Sequence, residues 1–143
     1  MKILIAVDDS RHSNAAVDFV RRMAWPKDTK AVVLSVVQPV VFSYAEVYVP
    51  AAPLGELIED LTRIHTEVAK KDAESLRGAG LQVEAKVMQG DPRTTIVDAA
   101  TQEKVDLVIL GSHGRTGMAK LFMGSVASHV VTHATCSVLV VKL

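Results

Sequence analysis

The chain has 143 residues, 49% of them apolar, with sixteen acidic and sixteen basic side chains. That length suits one domain, 1–143, and leaves little room for a second; so large an apolar share excludes a chain that is mainly disordered. The cancelled charge excludes a bulk pull toward nucleic acid or an anionic membrane, so any charge recognition is local.

Ile3 to Val7 reads as a first strand and stops at Asp8-Asp9. It is too short for a signal-peptide core, and no apolar run approaches the roughly 18 residues of a membrane span. A single cysteine, Cys136, has no partner for an intrachain disulfide, which suits a reducing, cytoplasmic location. Ala15, Ala16, Phe19, Val20 and Met23 recur at helical spacing, and Ala31 to Val37 forms the second apolar run. The stretch Gln38 to Pro53, with three prolines and the aromatics Phe42, Tyr44 and Tyr48, is too long for an ordinary strand-to-helix connection and predicts a lid or contact surface. Leu54, Leu57, Ile58, Leu61, Ile64, Val68 and Leu76 predict the core face of a long second helix ending at Gly78-Ala79-Gly80.

Leu81 to Met88 alternates apolar residues with Gln82, Glu84 and Lys86, the mark of a strand with one wet face and hence a sheet edge. Gly90-Asp91-Pro92 reads as turn, N-cap and first helical residue, with Ile96, Val97 and Ala100 inward. Val105 to Leu110 is the fourth strand, Ser125 to Ala134 the fourth helix with Val126, Val130 and Ala134 in register, and Ser137 to Val141 the fifth strand. Strands alternating with helices, most strands apolar throughout, predict an α/β fold: one open, doubly wound, five-stranded parallel sheet with helices on both faces. Right-handed crossovers and the wet edge give the order 3-2-1-4-5.

Ligands of such sheets bind beyond the carboxyl ends of the strands where the winding reverses, here between Asp8–His12 and Gly111–Gly117. The first loop has no glycine, and neither G-x-G-x-x-G nor a P-loop occurs anywhere. Residues 107–143 hold Arg115, Lys120 and Lys142 but no acid, and four of the chain's eight glycines. Glycines admit close backbone approach, and the last helix opens at Gly124-Ser125, so a phosphate cradle and a glycine-rich turn with a capped helix stand about level on these grounds.

Gly111-x-x-Gly114, nine residues, then Gly124-Ser125 matches the G-2x-G-9x-G-[S/T] pattern of the universal stress protein family, and the sequence resembles its ATP-binding branch. Lys2 to Ser10, Gly90-Asp91-Pro92, Asp106 to Gly114 and Ser137 to Lys142 extend the likeness over nearly the whole chain. The resemblance implies Asp8 beside the adenosine, Val36 lining the adenine pocket, Ala6 beside the ribose, and Leu110 and Gly111 continuing that wall. It implies phosphates on Gly111, Gly114, Gly124, Ser125 and Val126, with a divalent ion, Mg2+ or Mn2+, bridging their oxygens. The ligand is then ATP, or ADP or AMP. Arg115 and Lys120 join the site on charge alone.

Other readings compete. Asp8 or Asp9 also suits a cap of the first helix, and Ser125 an N-cap. His113 reads as a solvated loop imidazole. His129 and His133 share a helix face, but without a third ligand they read as dipole partners in a last turn, not as a metal site. Cys136 reads as core, and no catalytic residue is assigned. The terminal strand is apolar on both faces yet lies at an edge; the resemblance implies that it pairs with its own copy in a homodimer. The functional expectation is a nucleotide-dependent regulator of stress response with little or no hydrolysis. The alternatives are weak ATPase or self-phosphorylation at Ser112, Thr116 or Ser125, an adenylating enzyme, which would carry S-G-G-x-D-S after strand one, and an interaction module that binds no nucleotide.

Overall fold

A computed structural model describes residues 1–38, 51–114 and 123–143, and of residues 51–54 the backbone alone. Among these residues strands and helices alternate as β1 (Lys2–Val7), α1 (Arg11–Arg22), β2 (Lys30–Val37), α2 (Ala51–Gly78), β3 (Gln82–Gln89), α3 (Pro92–Gln102), β4 (Leu107–Gly111), α4 (Ser125–His133) and β5 (Ser137–Val141). All pairings are parallel, and the order is β3-β2-β1-β4-β5, as the sequence predicts. β1 is central: Ile3 pairs with Ala31 on one side and Leu107 on the other. The chain winds outward through β2 and β3, then returns to the far side of β1, so the loops after β1 and β4 part.

The period-two alternation of side chains splits the core into two layers. Ile3, Ile5 and Val7 point into one with Ala16, Val20, Ala69, Ala73 and Leu76 of α1 and α2. Leu4 points into the other with Ile96, Ala99, Ala127 and Val130 of α3 and α4. Ile5 is wholly buried, and its truncation to Ala would cost about 2–5 kcal/mol.

The helix starts follow their caps. Ser10 Oγ accepts from Ser13 N, and Asp91 accepts from Arg93 N with Pro92 at the first helical position. The Arg93 guanidinium, together with that amide, holds the Asp91 carboxyl down to about 2. β4 begins at Leu107 rather than Val105, because Val105 N is taken by Ala100 O in the turn after α3 and the ladder to β1 opens at Asp106 N→Lys2 O.

Two predicted core faces are corrected. Met23 is exposed because α1 stops at Arg22. On α2, Leu57 and Ile64 are exposed, and the buried stripe is His65, Ala69, Asp72, Ala73 and Leu76. One residue along a helix is about 100° around it, and the small Ala69 and Ala73 are wholly buried while the larger Ile64 is exposed. The helix also starts at Ala51, so Pro53 belongs to its first turn and not to the predicted lid; residues 39–50 of that stretch lie outside the described residues.

Candidate functional site

The loop after β1 is built by short polar contacts. Asp8 Oδ1 accepts from Ser10 N at 3.1 Å, and Ser13 Oγ accepts from Asp8 N at 3.1 Å. Asp9 takes a positive φ of 60° and lies outside the crevice, with Oδ1 3.6 Å from Lys71 Nζ. The caps are therefore divided: Ser10 caps α1, and Asp8 pins the turn before it while its other oxygen faces the loop after β4.

Across the gap, Ser112 N donates to Val141 O and Gly124 N donates to Ser112 O, both at 2.8 Å. These bonds draw the start of α4 against the end of β4. A Cβ on Gly111 would stand 2.6 Å from the His12 carbonyl carbon, and one on Gly124 would stand 3.1 Å from Ser112 O. Gly124 is the N-cap and makes no side-chain cap bond, so Ser125 is the first helical residue and not the cap. Its exposed hydroxyl does not serve the helix end, and the first-turn amides of α4 are not used by the helix itself. Gly124 contributes close approach, since its own amide is spent on Ser112.

Between these walls lies a crevice of about 450 Å³. Ala6, Asp8, Val36, Leu110, Gly111, Gly114, Gly124, Ser125 and Val126 all line it, so the structure brings together every predicted site residue that it describes. Arg115 and Lys120 lie outside the described residues. The two ends differ in chemistry. Leu34, Val36 and Leu61 make an apolar end over β2, whereas Gly111, Gly114 and the start of α4 make a polar end over β4. Two strand spacings, roughly 10 Å, separate them.

Further residues line the crevice that were not predicted for the site, His65 and His113 among them. His65 of α2, 8% exposed, reaches the crevice with Nδ1 2.7 Å from Ser35 Oγ, and Ser35 Oγ lies 3.0 Å from Val7 O. The available signals were a histidine on an otherwise apolar helix stripe and a lone hydroxyl in an apolar strand. His113 is half-buried, not solvated: Nδ1 lies 3.1 Å from Ser112 Oγ, and its ring meets that of His12 at 4.9 Å between centroids.

Among the described residues no three His, Cys, Asp or Glu side chains gather as a metal site. His129 and His133 stack at 4.0 Å, with His133 Nδ1 2.9 Å from His129 O. Cys136 is half-buried against the second core layer. No described helix is long and apolar enough to cross a membrane.

Residues 1–142 match the Universal stress protein family. Universal stress protein MJ0531 of Methanocaldococcus jannaschii is 32% identical over 142 residues, covering 99% of this chain and 81% of that protein. The solved structure of MJ0577 from the same organism superposes with a TM-score of 0.88 at 28% identity, covering 99% of this chain and 95% of that one. An Arabidopsis thaliana member, At3g01520, solved with AMP bound, shares the fold with a TM-score of 0.68 at 17% identity, covering 99% and 91%.

Proposed function

The chain belongs to the universal stress protein family, and from that premise we propose that it is an ATP-binding member, a nucleotide-dependent regulator with little or no hydrolysis. One observation carries the reading: a single crevice has an apolar end over β2 and an amide-lined, glycine-walled end over β4, spaced as a nucleotide's base and phosphates are. The base lies against Val36, the ribose passes Ala6 and Asp8, and the phosphates rest on Gly111, Gly114, Ser125 and Val126. A helix start and backbone closeness favour a polyanion there. AMP bound to the Arabidopsis relative agrees with an adenine nucleotide as the ligand class.

A divalent ion, Mg2+ or Mn2+, would accompany the bound phosphates and neutralise part of their charge. Arg115 and Lys120, outside the described residues, are candidates for the phosphates on charge alone. Slow hydrolysis follows from the fate of Asp8: one oxygen is committed to Ser10 N, and amide cradles hold ground-state phosphate about as well as a transition state. The fifth strand pairs with its own copy across a two-fold axis, covering an edge that is apolar on both faces.

Native mass spectrometry of freshly purified protein, followed by calorimetric titration with MgATP, tests the reading. One adenine nucleotide per chain is expected, with turnover in a single-turnover assay far below that of a dedicated ATPase. A chain that takes up no nucleotide in either measurement overturns it.

A further inference from the structure

Beside the crevice, one residue holds a backbone conformation that its side chain disfavours. Asp9, between Asp8 and the N-cap Ser10, has a φ of 60°, in the left-handed region that favours glycine. Its own side chain does not account for this. The carboxylate meets Lys71 Nζ at 3.6 Å with both side chains more than half exposed, and an ion pair so open to solvent contributes little.

The two neighbours do account for it. Asp8 N donates to Ser13 Oγ at 3.1 Å, and Ser13 is buried on α1. Ser10 accepts from Ser13 N at 3.1 Å through its hydroxyl and from Asn14 N at 2.9 Å through its carbonyl. Asp8 and Ser10 are thereby both fastened to the first turn of α1, a helix held in place by the buried Ala16, Val17 and Val20. Ser10 N also donates to Asp8 Oδ1 at 3.1 Å, which closes a side-chain turn with Asp9 as its middle residue. In the backbone turn that this one imitates, a positive φ at the third position calls for glycine or asparagine. A single residue must reverse the chain between two fixed ends, and such strain persists where the surroundings over-determine it.

The same closed turn sets the direction of Asp8. With Oδ1 held by Ser10 N, Oδ2 is the oxygen that stands over Gly114 on the opposite wall. Resting on the proposed nucleotide site, we propose that Asp9 is a positioning residue of that site: its left-handed backbone, and not its carboxylate, aims Asp8 across the crevice. Glycine would take the same φ without strain but would let the loop wander through many other shapes before binding. Aspartate confines it, and a loop already in its bound shape loses less freedom when the ligand arrives.

The test separates backbone from charge by calorimetric titration with MgATP. Asp9→Asn keeps a residue that tolerates positive φ and removes the charge, and its affinity is expected to stay within about twofold of the unaltered protein. Lys71→Ala is expected to do the same. Asp9→Val strongly disfavours positive φ, and its affinity is expected to fall about tenfold or more. Asp9→Ala, milder to the fold, is expected to fall several-fold in the same direction. In an Asp8→Ala background, Asp9→Val and Asp9→Ala are expected to change affinity by less than about twofold, because the residue they misdirect is gone. A cooperative thermal melt verifies that each variant is folded. An Asp9→Asn variant as weak as Asp9→Ala would assign the effect to the carboxylate and overturn the inference. So would an equal loss with and without Asp8, which would show Asp9 acting by another route. Failure of the unaltered protein to bind ATP overturns the nucleotide reading, and this inference with it.

Discussion

Oδ2 of Asp8 lies over Gly114 so closely that a Cβ on the glycine would stand 2.8 Å from it. The carboxylate belongs to the loop after β1 and the glycine to the loop after β4, so this contact closes the crevice across the sheet's reversal point.

Gly111 and Gly114 should respond differently to the same added methyl. At Gly114 the obstacle is the end of a side chain, which can turn away, and Gly114→Ala is expected to leave the melting temperature nearly unchanged while lowering ATP affinity about tenfold through the displaced Asp8. At Gly111 the obstacle is the backbone of His12 at 2.6–2.7 Å, and Gly111→Ala is expected to cost about 1–3 kcal/mol in urea unfolding. Gly114→Asp adds a charge against Asp8 and should abolish detectable ATP binding. Undiminished affinity in that variant would place the phosphates away from Gly114.

Ser125 separates capping from ligand binding. Because Gly124 occupies the N-cap and Ser125 is the first helical residue, Ser125→Ala should change unfolding free energy by less than about 0.5 kcal/mol. Titration calorimetry should nonetheless show several-fold weaker ATP binding. A large loss of stability would instead mark the hydroxyl as a structural group.

Asp72 makes stability depend on pH. It is 4% exposed on α2, and its Oδ2 has no hydrogen-bond partner among the described residues. Burial pushes its carboxyl up, Lys71 opposes that, and Asp9 and Asp18 add to it. The folded state thus holds the proton to a higher pH than the unfolded state, so stability falls as pH rises from the ordinary carboxylate range through the raised value. Asp72→Asn is expected to be neutral near pH 3 and to stabilise by about 1 kcal/mol at pH 7, read by urea unfolding at the two pH values. Equal effects at both would show that ionisation is not the cause.

Val140→Asp tests the strand pairing. Val138 and Val140 pack on the α3–α4 layer, and Leu139 and Val141 on the α1–α2 layer, so the charge also disturbs the core. Light scattering should report a monomer in a sample whose circular dichroism still melts cooperatively. A folded variant that keeps a dimer's mass would remove β5 from the interface.

The strands and their order were legible because an all-parallel sheet buries both faces and leaves long apolar runs, with Glu84 and Lys86 marking the exception. The glycine wall was legible too, since Gly111, Gly114 and Gly124 sit where only hydrogen fits without displacement. The face of α2 was not, because Ile64 and His65 are adjacent and a 3.6-residue period assigns the inward stripe by bulk apolarity. Helix packing chose small residues instead. Ser35 and His65 are thirty residues apart, and nothing local to either announces that they meet.

The two rims of the sheet are unequal. β3 carries Glu84 and Lys86, the latter joined to Glu84 and to Glu103, whereas β5 offers Val138, Leu139, Val140 and Val141. Charged groups along a rim repel an incoming strand, and a bare apolar rim invites one. In the proposed dimer through β5, the edges left open are the two β3 strands with their charged Glu84 and Lys86. Strand addition beyond that proposed pair would have to proceed against those charges.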